Sequence, residues 1–406
     1  MLTHLAVFHL KIAARFNTKL QLGITGRQQT FELLKSKINT TDHVVWMHCA
    51  SLGEFEQGLP VLETLKKEFP HYKIVLSFFS PSGYEVKKNT PIADVVVYLP
   101  FDTKADATTF IELAHPKLAI FVKYEIWPHY LRVLKERAIQ TILISALFRK
   151  QQIFFKPYGR FMKRALYTFN HIFTQDKASK DLLNHYTISN VSVAGDTRFD
   201  RVINQLAIDN TLDFITEFKG DSICIVAGST WPEDEKLLIP YINASNDNAK
   251  FIIAPHNIKP QLIKNLQKQL KKPTALFSEK DTSDLKNSSV FILDTIGVLS
   301  KVYHYADIAY VGGAMGHTGL HNTLEAAVFG VPIVIGKNHK EFPEASAMIS
   351  KKGLLTISNQ KELNTAFNKL LKDAAFRKES GQNNAQYIYE NKGAVIQIME
   401  YLRTYL

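Results

Sequence analysis

The sequence predicts an α/β fold of two domains, each a parallel sheet flanked by helices, and three observations carry that prediction. A chain of 406 residues is longer than one core of ordinary size, so two domains are expected. Short apolar runs rich in Val, Ile and Phe alternate with helix-period segments, and runs of that kind read as parallel strands buried on both faces. The polar stretch RFDRVINQLAIDNTLDFITEFKGDS, from Arg198 to Ser222, divides the runs into two sets and reads as the inter-domain connection.

The chain opens with MLTHLAVFHLKIAARFNTKLQLG. At about 100° per residue Lys11, Arg15 and Lys19 share one stripe, while Leu2, Leu5, Leu10, Ile12, Ala13, Phe16 and Leu20 cover the broad opposite face. Two readings fit: a helix lying in a membrane interface, or an amphipathic helix packed on its own domain. The segment lacks the roughly 18 consecutive apolar residues of a spanning helix and the basic start of a cleaved signal peptide. Strands of the first domain are expected at Val44–His48, Lys73–Phe79, Val95–Leu99, Lys117–Val122, Thr141–Ser145 and Ile172–Gln175, and those of the second at Ile223–Ala227, Phe251–Ala254, Val290–Leu293, Ile308–Gly312 and Ile333–Ile335. WMHCASLGEFE and CIVAGSTWPEDE echo one another, each running from a strand through small residues and a Ser to acids that open a helix. Ligands of such sheets sit beyond the carboxyl ends of the strands, so two domains of this kind are expected to face across a cleft.

With 46% hydrophobic and 21% charged residues, the composition is that of a globular protein. Cys49 and Cys224 both lie in apolar runs and read as buried free thiols of a reducing compartment, too few to build a metal cluster. The formal charge of +11 favours an anionic partner. Nucleic acid is not expected, because no zinc finger, heptad-bearing basic region or aromatic RNA-binding signature is present.

Chemistry concentrates at strand ends. In VGGAMGHTGLHNTLEAAVFGVPIVIG, from Val311, a strand ends at Gly312 and Gly313, and a helix is expected to open near His321 and Asn322. Backbone N–H groups and the positive end of a helix dipole make an anion site there; a plain tight turn is the other reading. The loop is not G-x-G-x-x-G, and G-x-x-x-x-G-K-[ST] is absent, so neither a dinucleotide fingerprint nor a Walker A loop is supported. Glu325 is placed to reach a ribose hydroxyl pair or to face solvent. Ser229 or Thr230 caps the helix that Pro232 begins, with an anion contact as the alternative, and His256 stands at a strand end. Glu54 opens a helix, where its ionised form is stabilised; it reads as a helix-end charge or as a proton acceptor. Glu125 is a second acid at a strand end.

Taken together these stretches resemble the 3-deoxy-D-manno-octulosonic acid (Kdo) transferases of lipopolysaccharide assembly, glycosyltransferases of the GT-B architecture. MHCASLGEFEQGLPVLETL is similar to the family's Ser-x-Gly-Glu turn, LSFFSPSGYE to its segment ending in Pro-x-Gly, KYEIWPHYL to its Glu-x-Glu-[Leu/Ile]-Trp-Pro motif, and VAGDTRFDR to its Gly-x-x-[Lys/Arg]-[Phe/Tyr]-Asp. AGSTWPEDE, DTIGVLSKVYHYADIAYVGG and GLHNTLEAAVFGVPIVIGKNHKEFPE resemble its nucleotide-binding half. The resemblance implies transfer of Kdo from CMP-Kdo to a lipid A precursor with inversion, without cofactor or catalytic metal. It implies Glu54 as general base, Glu125 shaping the sugar or acceptor site, and Ser51, Gly53, Ser80 and Gly83 in the acceptor and sugar region. Ser229, Thr230, His256, Gly297, Gly313, His321, Asn322 and Glu325 would line the CMP-Kdo site, with Glu325 on the ribose.

The pattern is broken where Lys123 replaces the first Glu of Glu-x-Glu, where Pro255 precedes His256 in place of Arg, and where Leu320 replaces a Gly. Residues 1–24 then gain a purpose, carrying the enzyme to the anionic cytoplasmic face of the inner membrane where the lipid-linked acceptor sits. The expected domains are 25–205 for acceptor and 206–390 for donor, with a C-terminal helix in 391–406 crossing back to the first. The rival readings are another GT-B nucleotide-sugar transferase and a non-catalytic membrane-bound sensor of sugar nucleotides.

Overall fold

The computed structural model describes residues 16–245 and 249–406. Every apolar run named above forms a strand, and none overruns its strand by more than one residue at either end. The first sheet comprises β1 (His43–Cys49), β2 (Tyr72–Phe78), β3 (Val95–Tyr98), β4 (Leu118–Val122), β5 (Gln140–Ala146), β6 (His171–Thr174) and β7 (Val191–Val193), in the order β3-β2-β1-β4-β5-β6-β7. The second comprises β8 (Ile223–Thr230), β9 (Ala249–Pro255), β10 (Thr274–Leu276), β11 (Val290–Ile292), β12 (Ile308–Val311), β13 (Ile333–Gly336) and β14 (Leu354–Ile357), in the order β10-β11-β9-β8-β12-β13-β14. All pairings in both sheets are parallel.

Parallel pairing follows from the sequence: β1, HVVWMHC, buries every residue after His43, which only a sheet covered on both faces allows. One face of the first sheet packs Trp46, Phe110, Phe121 and Tyr130 together, and the other packs Met47, Phe55, Leu62 and Phe78. In the second unit Leu238, Phe251, Tyr310 and Phe367 belong to one core. Each sheet grows outward from a central pair, β1 with β4 and β8 with β12. Between such strands the chain reverses its direction of winding, and the flanking loops part to leave a crevice.

The chain divides into two compact units, one of residues up to Arg201 together with Lys392–Leu406, the other Val202–Asn391. The polar connection is helical, over Thr197–Gln205 and Asp213–Lys219. In the first unit the C-terminal helix Ala394–Leu402 buries Ala394, Ile398, Met399 and Leu402 against Val61, Leu62 and Leu65. Arg403 grips Glu68 at 2.7 and 2.8 Å. The Asp200 carboxylate accepts the amides of Gly393 at 2.8 Å and Ala394 at 3.1 Å, satisfying donors that a helix start leaves open.

The helix expected over residues 1–24 lies outside the described residues as far as residue 15. From Thr18 the chain is helical to Gln28, and this helix is tied to the first unit by Arg27. The buried guanidinium donates to the carbonyls of Gly23 at 2.7 Å, Phe79 at 2.6 Å and Leu99 at 2.9 Å. Among the described residues no helix is long and apolar enough to cross a membrane.

Asp200→Ala should cost about 1–3 kcal/mol, because it strands the amides that open the C-terminal helix. Chemical denaturation would measure the loss, and amide hydrogen exchange should rise first over residues 394–402.

Candidate active site

In the first unit the candidate residues gather at the carboxyl ends of β1, β2 and β4. After Cys49 the chain turns through Ala50 and Ser51 into the helix Leu52–Glu68. The Ser51 amide donates to Glu54 Oε2 at 2.9 Å, and the Ser51 hydroxyl donates to the same oxygen. Two donors thus hold Oε2 of a residue only 8% exposed, and Oε1 has no hydrogen-bond partner among the described residues. A Cβ built on Gly53 would meet only Ser51 Oγ, at 3.7 Å. Packing therefore does not require glycine at this position. Gly83 differs: its Cβ would strike the Phe78 ring at 2.4 Å and approach the Leu52 amide at 3.1 Å. It lets the helix Pro81–Lys87, capped by Ser80, lie against the start of the Glu54 helix.

Glu125 follows β4, the neighbour of β1. Its Oε2 accepts the Trp127 indole N–H at 2.9 Å, and His48 Nε2 stands 3.6 Å from that oxygen. Burial pushes the Cys49 thiol well above its ordinary range, and the charges of Glu54, Glu125 and Glu56 push the same way. Glu56, two residues further along the same helix, is paired with Lys87 at 3.9 Å and with Arg201. Lys123 has φ +67° and lays its ammonium 5.0 Å from the centre of the Tyr124 ring.

In the second unit the corresponding ends are those of β8, β9 and β12. Asp234, fully buried, organises them: its carboxylate accepts the amides of Trp231 and Gly313, each at 2.9 Å, and the Tyr310 hydroxyl at 2.7 Å. Burial raises its pKa, against the pull of those donors. Gly313 has φ +96°, and a Cβ there would lie 2.0 Å from Gly319 O, so only glycine closes this loop. Gly297, at φ +95°, is required by conformation alone, with nothing within 4 Å of its Cβ position.

His256 stacks on Trp231 at 4.5 Å between ring centres and 19° between planes, with His321 4.6 Å beyond. Trp231 Nε1 donates to His321 Nε2 at 3.0 Å; an indole N–H only donates, so a neutral His321 carries its proton on Nδ1. Burial, then His256, pushes the His321 pKa down to about 4, and burial lowers His256. Ser229 adopts φ +54° at the end of β8, while the Thr230 hydroxyl donates to Glu235 at 3.0 Å. Glu325 does not face bulk solvent: it accepts Ser300 Oγ at 3.0 Å and Asn322 Nδ2 at 3.2 Å.

The helix expected to open near His321 and Asn322 is a single turn, Leu324–Ala327. So short a helix sums few peptide dipoles, and any anion site here must rest on loop amides. Leu320, at the position of an expected glycine, turns into the interior and is 7% exposed. Pro255 is the last residue of β9, opposite Thr230. Reading the sequence missed His48, Ser77, Asp234 and Ser300. Only Asp234 had a local signal, an acid on the third residue of a helix that begins with proline.

Because the folded pKa of His321 is about 4 against 6.5 unfolded, the unfolded chain binds more protons between those values. The second unit should have its full stability above pH 6.5 and lose it as the pH falls toward 4. Denaturation midpoints across that range should show the loss, and His321→Gln should flatten it.

Residues 25–201 match the family described as 3-Deoxy-D-manno-octulosonic-acid transferase (kdotransferase). A 3-deoxy-D-manno-octulosonic acid transferase of Haemophilus influenzae is 29% identical over 377 residues, 89% of this chain and 87% of that protein. One from Aquifex aeolicus is 28% identical over 356 residues, 84% of this chain and 91% of the relative. In fold the chain is similar to UDP-GlcNAc 2-epimerase from Neisseria meningitidis, solved bound to UDP-GlcNAc, with TM-score 0.64 at 15% identity over 89% of this chain and 100% of that one. The chain thus carries two seven-stranded parallel sheets of the GT-B kind, matches the Kdo transferase family model over residues 25–201, and is similar along most of its length to Kdo transferases.

Proposed function

We propose that the chain transfers Kdo from CMP-Kdo to a hydroxyl of a lipid A precursor in lipopolysaccharide synthesis, with inversion at the anomeric carbon and without a bound metal. The observation that carries the reading is the Ser51-Leu52-Gly53-Glu54 turn at the centre of the first sheet. It offers a nearly buried carboxylate, one oxygen tied to its own helix cap, beside a glycine whose missing Cβ leaves room above the turn. Glu54 Oε1 takes the acceptor hydroxyl's proton as that oxygen attacks the anomeric carbon. The bond from that carbon to the phosphate oxygen breaks, and its electron pair leaves with CMP. Glu125, held by Trp127, offers its other oxygen to a sugar hydroxyl.

In this reading the second unit holds the donor. Glu325, fixed between Ser300 and Asn322, accepts the ribose hydroxyls. The leaving phosphate is met by amides of the Gly313 loop and by the Nδ1–H of His321. Stabilising charge as it develops, with donors already in place, is a large source of rate. The neutral imidazoles of His256 and His321 keep the Trp231 stack free of positive charge.

The acceptor is a lipid, and one described surface suits an anionic interface. Around the helix Arg160–Leu166, Tyr158 is 78% and Phe161 60% exposed, and Lys156, Arg160, Lys163 and Arg164 line a hollow with Phe155 and Tyr167. Aromatic rings at headgroup depth among basic side chains bind anionic membranes. We place the enzyme peripherally on the cytoplasmic face of the inner membrane through this patch.

Incubating the chain with CMP-Kdo and a tetraacylated lipid A precursor should yield a Kdo-bearing lipid of inverted anomeric configuration by NMR; CMP-Kdo binding with no transfer would reject the proposal. Gly53→Ala should lower kcat/KM by roughly 100-fold through displacement of the reacting groups. Its folding stability should hold or rise by up to about 1 kcal/mol. Lys156→Glu with Arg160→Glu should weaken binding to phosphatidylglycerol vesicles by roughly 10-fold or more, at about 1 kcal/mol for each basic residue. Unchanged vesicle binding by that double variant would move the membrane contact elsewhere.

A further inference from the structure

His48 is fully buried in β1, and its two ring nitrogens meet different groups. Nδ1 lies 2.9 Å from Ser77 Oγ, and that oxygen also accepts the Trp46 indole N–H at 2.8 Å. Ser77 Oγ has no further hydrogen-bond partner among the described residues, so the one acceptor within reach of its proton is His48 Nδ1. A serine hydroxyl donating to Nδ1 leaves the proton of a neutral imidazole on Nε2. Among the described residues Nε2 has no hydrogen-bond partner, and it lies 3.6 Å from Glu125 Oε2, beyond hydrogen-bond length. The Trp127 indole, which does bond Oε2, packs edge-on to the His48 ring at 5.4 Å and 87°. Buried N–H groups without a partner are rare and costly, and this one faces a carboxylate at the candidate site.

We infer that His48 is a positioning residue for Glu125: the relay Trp46–Ser77–His48 presents an Nε2–H to Glu125 Oε2, and the gap closes when a sugar hydroxyl takes the other carboxylate oxygen. The inference rests on the reading of Glu125 as a substrate contact. With Nδ1 occupied as an acceptor, His48 neither gives nor takes a proton during transfer. Its work is to fix which carboxylate oxygen is tied and which is open. Trp127 already donates to Oε2, so with the gap closed that oxygen accepts from two ring N–H groups.

Long-range proton–nitrogen NMR on the full chain with ring-labelled histidine reads the tautomer without substrate, and the signal lost in His48→Gln identifies His48. The expected result is a neutral Nε2–H imidazole. Ser77→Ala should mix the two tautomers and reduce kcat about 10-fold with the KM for CMP-Kdo unchanged, because a misaligned group costs rate more than binding. His48→Gln keeps an N–H near the Nε2 position and should retain more activity than His48→Leu. An Nδ1–H tautomer or an imidazolium in the native chain would overturn the inference. So would native transfer rates in folded Ser77→Ala and His48→Leu when Glu125→Gln is impaired. If Glu125→Gln itself transfers at the native rate, the reading of Glu125 fails and takes the relay's purpose with it, a result the tautomer measurement keeps distinct from a wrong relay.

Discussion

All strands of both sheets run parallel, and the candidate chemistry depends on that constraint. Parallel strands release their loops at one edge, so residues distant in sequence arrive on the same rim without being designed to meet. Within each sheet the rim opens most at the central pair, where winding reverses. Glu54 and Glu125 follow β1 and β4, the central pair of the first sheet; Ser229 lies at the end of β8 and Gly313 follows β12, the central pair of the second. Fold and site are thus one fact seen at two scales.

At that edge each unit fixes its polar groups by pairing them inward and leaving one face open. Ser51 holds one oxygen of Glu54, and Trp127 holds one of Glu125. In the second unit Asp234 joins the start of one helix to the glycine turn after β12 through Trp231 and Gly313. A buried carboxylate is costly without donors, and here three donors meet it. The result is a loop whose amides are set before any ligand arrives, which is what stabilising a leaving phosphate needs.

Much of this was legible in the sequence because burial on both faces leaves a strong mark. Runs such as Val44–His48 and Ile308–Gly312 have no polar alternation, and helix-period stretches separate them. The strands that escaped, β7, β10 and β14, lie at sheet edges and span three or four residues, too short to rise above the surrounding loops. Glu54 was legible because small residues precede it and a helix follows. Its partner Ser51 stood out only as part of the Ser-x-Gly-Glu turn, and only coordinates reveal that its amide and hydroxyl hold the glutamate. His48 and Ser77 were invisible as a pair, since adjacent strands 29 residues apart bring them together. The helix expected to open near His321 and Asn322 begins at Leu324 and runs a single turn to Ala327, a length that the glycine-rich loop and the apolar run after it do not reveal.

The account stands or falls on Glu54 as the group that takes the acceptor's proton. The decisive measurement is the single-turnover rate of Kdo transfer from CMP-Kdo to a tetraacylated lipid A precursor, native against Glu54→Gln, with CMP affinity measured on both. The account predicts a rate lower by roughly 100- to 10,000-fold, the usual worth of a general base, with CMP affinity unchanged. A variant that transfers near the native rate would contradict it and leave the carboxylate as nothing more than the cap of its helix.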